Sequence, residues 1–535
     1  MTETDRYLIG IDYGTESARG ILVDVATGLQ VAAHSVSYPH AVITGKLPTG
    51  VSLPHGFALQ DASDYLLAAR DILSELGRGK HVEGIGLGFT ASSPMPARVD
   101  GSPLSVDYPD DPHAYVKLWK HSAAQRYADV INQRGGRYLD NFGGKVSGEW
   151  LLAKAAQIQD EAPQIWAKTE RFIEAGDWVV WQLTGEEKRS LGFAAYKAQF
   201  NDLDGYPQDA VTGLAERLTP PVAVGSKAGS LTATWREQTG IRGPAFVAVA
   251  VIDSHVVLPA VGGVRDGCLV AAIGTSAVYL HLSREFHPLP AGIEGVARDG
   301  SVAGFWCYEA GQAGFGDTLA WFVRSFPRHE DPALNFAAYN DEAARLVPGG
   351  SRLLALDWWS GNRVPLADSD LSGLIVGLTV NTTAAEIYRA LLEALCFGAR
   401  RIVELFEQGG LPIEEMIVTS GLASHNPLLV QIMADVLGRD ILVPQVDNPT
   451  ALGAAIHGAV ASGNVTGFDE GAKRFGAQNF SRVTPTADHS QAYDALYQHY
   501  CRLAQIPELR NVMHALAGGA SSAEATAAAV RRSVA

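Results

Sequence analysis

Ile9-Gly10-Ile11-Asp12-Tyr13-Gly14-Thr15-Glu16-Ser17-Ala18-Arg19-Gly20-Ile21-Leu22-Val23-Asp24 reads as an apolar strand, a carboxylate, a tight Gly-Thr turn and a second apolar strand. A hairpin of this kind presents backbone N–H groups and hydroxyls to a phosphate. The adjacent Asp12 suits Mg²⁺, a hard cation that takes carboxylate and water oxygens. The same grammar returns in the second half as Leu269-Val270-Ala271-Ala272-Ile273-Gly274-Thr275-Ser276-Ala277-Val278-Tyr279-Leu280. Two phosphate-type hairpins, one per half, predict a nucleotide held between two related domains.

The chain has 535 residues, too many for one hydrophobic core, so two large domains are expected. A net charge of −16 argues against general nucleic-acid affinity, which needs a basic footprint. The four cysteines, Cys268, Cys307, Cys396 and Cys501, are too far apart for metal-ligand spacing and read as reduced thiols of a cytoplasmic protein. The polar start, Met1 to Arg6, is no signal peptide. Ala245 to Val264 is the best membrane candidate, but Asp253, Ser254 and His255 interrupt it, so a buried strand and a helix start are expected there.

The first half opens with three strands, over 7–35 and Val31 to Tyr38, followed by a helix over Asp61 to Leu76 and a strand over Val82 to Phe89. Phe246 to Ile252 is a fully apolar strand with Asp253 at its end. In the second half, Ala384 to Gln408 is a long helix with Asn381-Thr382-Thr383 as capping candidates. Glu415 to Ser420 and Ile441 to Val443 are strands; Pro427 to Leu437 and Ala451 to Ala461 are helices. The alternation predicts an α/β protein with domains over 1–260 and 261–510 and a low-complexity tail over 511–535. Gly84-Ile85-Gly86-Leu87-Gly88 lacks the dinucleotide-loop spacing and reads as a strand packed closely under its neighbours. No G-x-x-x-x-G-K-[ST] occurs, so a nucleotide site here is not a P-loop.

With these hairpins, Asp253, Gly373-Leu374-Ile375-Val376-Gly377-Leu378-Thr379 and Ala451-Leu452-Gly453-Ala454-Ala455, the chain resembles the FGGY carbohydrate kinases from about residue 7 to about residue 505. Four further stretches are similar to the ribulokinase branch: Leu118-Trp119-Lys120-His121, Gly148-Glu149-Trp150, Glu309 to Asp317 and Leu356 to Arg363. The resemblance implies two ribonuclease-H-like domains, of the actin and sugar-kinase superfamily, flanking an ATP and sugar cleft. It implies ATP with Mg²⁺, a ketopentose substrate such as L-ribulose, and a possible homodimer, with no nucleic-acid or membrane partner. A kinase for D-ribulose, D-xylulose or an alditol is the nearest alternative, and a non-enzymatic ATP-binding relative the more distant one.

Phosphoryl transfer needs alignment, charge neutralisation and a group to take the hydroxyl proton. Asp253, at a strand end, is the candidate general base, although it also suits a helix N-cap; the resemblance implies the catalytic role. Asp12 is the candidate Mg²⁺ ligand, and alone reads equally as a turn aspartate. Gly14, Thr15, Ser17 and Arg19 are expected at the terminal phosphate, and Gly274, Thr275 and Ser276 at the ATP phosphates. Gly421 and Asn426 match the family's adenosine loop, but Ser420 stands where the family often has a further glycine. The ribulokinase likeness implies Ala91 beside the sugar and Lys197 and Glu309 on its hydroxyls or carbonyl, with Trp119, Lys120, Glu149 and Asp177 around the same pocket. His255 reads as a packed structural histidine.

Overall fold

The computed structural model describes residues 5–290 and 292–517. It holds two seven-stranded sheets built to one plan. In the first, the strands Arg6–Tyr13, Ser17–Asp24 and Gln30–Ser37 form an antiparallel meander. His81–Phe89 then joins the opposite edge of the opening strand in parallel. Phe246–Ala248 and Val251–Ile252 follow as one interrupted parallel line beyond it. The sequence pattern predicts an unbroken strand over 246–252; the ladder instead lapses at residues 249–250.

The second sheet repeats this with Cys268–Ile273, Ala277–Ser283 and Trp306–Gln312 as the meander. Glu415–Thr419 and Ile441–Pro444 are its parallel fourth and fifth strands. In both sheets the spatial order is third, second, first, fourth, fifth, with a further antiparallel strand beyond the fifth, Lys227–Ser230 or Phe480–Val483, and in the second sheet Gly295–Arg298 adds antiparallel beyond the third. The expected pair of ribonuclease-H-like halves is therefore present.

The helices form where capping and periodicity place them. Asp61 accepts from Ser63 N–H ahead of Ala62–Gly77, which buries Tyr65, Ala69, Ile72 and Leu76 on the first sheet. Thr383 and Glu386 close a capping box at the start of Ala384–Gln408. Leu151–Glu161 is a further helix, burying Leu152, Ala155 and Ile158.

Each half lends a segment to the other. The small-residue helix Pro449–Ala461 follows the fifth strand of the second half but packs on the first sheet. Its approach leaves no room for side chains: a Cβ on Gly86 would lie 1.8 Å from the Ala454 carbonyl oxygen, and one on Gly10 1.9 Å from that of Ala451. The glycine run over 84–88 is thus a strand under close backbone contact, as its spacing suggests. In return, Val257, Leu258, Ala260 and Val261, just beyond Asp253, pack with Val270, Leu280, Leu282 and Ile417 of the second sheet. Of the expected tail, residues 511–517 are helical and 518–535 lie outside the described residues.

Candidate active site

Ligands bind α/β sheets outside the carboxyl ends of parallel strands, and the first sheet brings two carboxylates to that edge. Asp12 lies near the end of the first strand, opposite Gly88 of the fourth. Asp253 follows directly on Ile252, which pairs with Phe89. Its carboxylate accepts the Ser254 N–H at 2.7 Å, and the short helix Asp253–Val256 starts there. Asp253 is thus the first residue of the helix rather than its N-cap, which is Ile252, and it stands at the carboxyl edge of the sheet. Burial pushes Asp253 up to about 6, against the Ser254 hydrogen bond and the nearby His255 and Lys197. Burial, then the neighbouring Asp253 charge, pushes Asp12 up to about 7, with Arg19 opposing.

The first turn is held by side chains. Gly14 N–H donates to the Ser17 carbonyl across it. Gln60 Nε2 donates to the Thr15 carbonyl at 2.6 Å, Trp119 Nε1 to Thr15 Oγ1 at 3.1 Å, and Tyr38 OH to the Gly14 carbonyl at 3.2 Å. Arg19 is the cross-strand partner of Asp12, and its guanidinium donates to Ser35 Oγ and Asn448 Oδ1. It thereby ties the hairpin to the residue ahead of the crossing helix.

The second turn is held by backbone. Gly274 N–H donates to the Ser276 carbonyl, and Phe315, Gly316 and Asp317 N–H groups donate to the Thr275 and Gly274 carbonyls. Ser420 Oγ donates to the Ile273 carbonyl, so the Gly421–His425 segment abuts this turn. Ser420 has φ 123°, in the region that favours glycine, which explains why a glycine suits that position. Asn426 is buried, and its Oδ1 accepts Leu429 N–H to cap Pro427–Leu437.

Between the halves, Lys197 near the end of Leu191–Ala198 meets Glu309 on the third strand of the second sheet, Nζ to Oε1 3.7 Å. Burial opposes ionisation of Glu309, but the Lys197 ammonium, His255 and Arg363 outweigh it and hold the carboxyl down to about 2. Lys197 Nζ also lies 5.8 Å from the Trp150 ring centroid. Ala91 is half-buried at the end of the fourth strand. Lys154 Nζ fixes the following loop by donating to the Ser92 and Leu118 carbonyls, each at 2.8 Å, while Glu174 accepts from Ser92 Oγ and Ser93 N–H. Asp177 is not at the cleft surface: it is fully buried and accepts Ser190 N–H at the start of the Lys197 helix.

Two charged residues here escape the sequence pattern. Arg363 Nη2 lies 3.4 Å from Glu149 Oε2, joining the two halves. Glu294 is pushed up to about 7 by burial, with Arg363 opposing. Both crowd the space above Gly311, where a Cβ would lie 2.7 Å from Glu294 Oε2. Arg363 belongs to one of the ribulokinase-like stretches, a signal that could have found it; nothing in the sequence around Glu294 sets it apart.

A two-lobed fold with paired turns and a cleft-edge carboxylate defines a class, the two-domain sugar kinases, and the comparisons with known proteins narrow it. The C-terminal-domain model of the FGGY family of carbohydrate kinases matches residues 269–462. A ribulokinase of Halalkalibacterium halodurans is 41% identical over 533 residues, 94% of this chain and 94% of that protein. A ribulokinase of Geobacillus thermodenitrificans is 39% identical, covering 93% and 94%. A xylulose kinase structure from Rhodospirillum rubrum superposes with a TM-score of 0.79 at 22% identity, covering 95% of this chain and 100% of that one, a likeness of fold. The chain belongs to the FGGY family of carbohydrate kinases. Among the described residues, no helix is long and apolar enough to cross a membrane.

Proposed function

We propose that the chain transfers the γ-phosphoryl group of ATP to the terminal hydroxyl of L-ribulose, giving L-ribulose 5-phosphate and ADP. The observation that carries this is the meeting of Asp253 and Asp12 at one sheet edge with the Lys197–Glu309 pair supplied from both halves. The relatives called ribulokinases support the choice of sugar.

Asp253 accepts the proton of the attacking hydroxyl. A carboxyl raised to about 6 is a stronger base than an ordinary one and is still ionised at neutral pH. Lys197 polarises the keto oxygen, Glu309 accepts from sugar hydroxyls, and Ala91 leaves room for the carbon chain. Gly14, Thr15, Ser17 and Arg19 approach the terminal phosphate. Gly274, Thr275 and Ser276 hold the ATP phosphates, and Gly421 and Asn426 border the adenosine. Asp12 fits Mg²⁺: a carboxylate whose charge is disfavoured by burial and by Asp253 gains from a divalent cation beside it. When bound, Mg²⁺ neutralises phosphate charge. Closure of the halves excludes water that would otherwise hydrolyse ATP.

Residues 1–260 then carry the base and most sugar contacts, with Glu309 added from 261–510, and 261–510 holds most of the nucleotide, with the terminal phosphate met by the first hairpin. A cytoplasmic homodimer belongs to the same proposal, with light scattering as its check. The decisive experiment is ADP release by the purified chain with Mg²⁺-ATP against L-ribulose, D-ribulose, D-xylulose and alditols. L-Ribulose should give the highest kcat/KM. A higher value for another sugar would reassign the substrate, and ATP turnover indifferent to every sugar would overturn the kinase.

A further inference from the structure

The imidazole of His255 has no part in the chemistry above, yet it sits two residues from Asp253 and is fully buried. Its Nδ1 lies 2.6 Å from Ser301 Oγ, and its Nε2 3.3 Å from Glu309 Oε2. The Tyr196 ring stands edge-on to it at 4.7 Å between centroids. Tyr196 is itself fixed, donating to the Cys307 carbonyl. Ser301, His255 and Glu309 thus form a line that resembles a hydrolytic triad in composition. It is not one, because the Ser301 hydroxyl is fully buried and no substrate can reach it.

The line ends on a carboxylate that meets both halves. Glu309 Oε1 faces Lys197 from the first half. Oε2 faces His255, whose neighbours beyond it, Val256 and Val257, lead into the segment packed on the second sheet. A buried carboxylate needs a donor for each oxygen to keep one orientation, and leaving one oxygen bare is costly. With Nδ1 engaged by Ser301 Oγ, Nε2 is the ring nitrogen left to meet Glu309: it is buried, 3.3 Å from Oε2, and has no other polar partner among the described residues.

We propose that His255 is a positioning residue: through the Ser301–His255–Glu309 line it orients the Glu309 carboxylate for sugar binding, in step with the placing of Asp253. This rests on the sugar role proposed for Glu309 above. A merely structural histidine would matter for stability and not for sugar affinity. A positioning one separates the kinetic constants, because the nucleotide site is built from other residues.

The test uses the full chain and L-ribulose. His255→Asn removes the donor at the Nε2 position and should raise KM for L-ribulose about tenfold or more, the usual weight of a hydrogen bond to a charged group. KM for ATP should stay within about twofold, a change too small to reflect a lost contact. His255→Gln, whose amide nitrogen reaches the Nε2 position, should recover most of the sugar affinity. Ser301→Ala, which keeps the ring and frees its tautomer, should raise the sugar KM by a smaller factor. Unchanged sugar KM in His255→Asn would overturn the proposal. So would equal rises in both KM values, or a Gln variant no better than Asn. If both His255 variants fail to fold, Ser301→Ala decides: an unchanged sugar KM there would overturn it as well. The wild-type chain is the control for the sugar: with no activity on L-ribulose the substrate assignment fails, and the same ratios are read on whichever sugar it phosphorylates.

Discussion

The two hairpins have the same fold and opposite chemistry. Asp12 and Arg19 are directly paired across the first, whereas the pair at the same place in the second is Ala272 and Val278. The first turn is braced by long side chains, Gln60, Trp119 and Tyr38; the second by backbone N–H groups at the start of Gly316–Ser325. One plan of strands thus supports a charged turn and an uncharged one. The lesson is that a repeated plan supplies geometry, and the residues at the strand ends decide which half carries charge at its turn.

Removing charge from the first half is the strongest way to break that division. Asp253→Ala should lower kcat about 10²- to 10⁴-fold with the fold intact by circular dichroism, the usual weight of a general base. The wild-type kcat/KM should fall as pH drops through about 6, because protonation removes the base and burial has raised the pH at which this happens. A flat profile from pH 5 to 8, about the range such a base would span, would sink the assignment. Asp12→Asn should cost about 10²-fold in kcat and raise the Mg²⁺ concentration needed for half-maximal rate. An unchanged Mg²⁺ titration would break the contrast between the turns.

Gly86→Ala tests the exchange of helices. Its Cβ would meet the Ala454 carbonyl, so the crossing helix must shift, at roughly 1–3 kcal/mol of stability in denaturant unfolding. Thr275→Ala, in the uncharged turn, should raise KM for ATP about three- to tenfold and leave the sugar KM alone. Ser420→Gly should have the smallest effect. Relief of the backbone at φ 123° offsets the lost bond to Ile273, so stability should move by no more than about 1 kcal/mol.

Local order is written in neighbouring residues, so much of it was legible. The two hairpins, the helix over Ala384–Gln408 with its Thr383 cap and the glycine-rich fourth strand all fall where periodicity and turn chemistry put them. The candidates Asp12 and Asp253 were visible because each ends an apolar run. The helix of residues 449–461 was visible too, but not its destination. Nothing in Ala451-Leu452-Gly453 says which sheet it covers, since small residues permit close approach to any partner with matching glycines.

By itself, then, the sequence determined the two hairpins, the parallel strands that follow them, the Gly-Thr turns and the carboxylates at the strand ends, but not the edge strands or Trp306–Gln312. Short-range patterning and turn preferences suffice for the former. Only the tertiary structure decided that Glu309 lies between Lys197 and His255, that Arg363 reaches Glu149 and that Asp177 is buried away from the cleft surface. Those contacts join residues distant along the chain. Their geometry depends on how two sheets exchange segments, a packing outcome that no local pattern encodes.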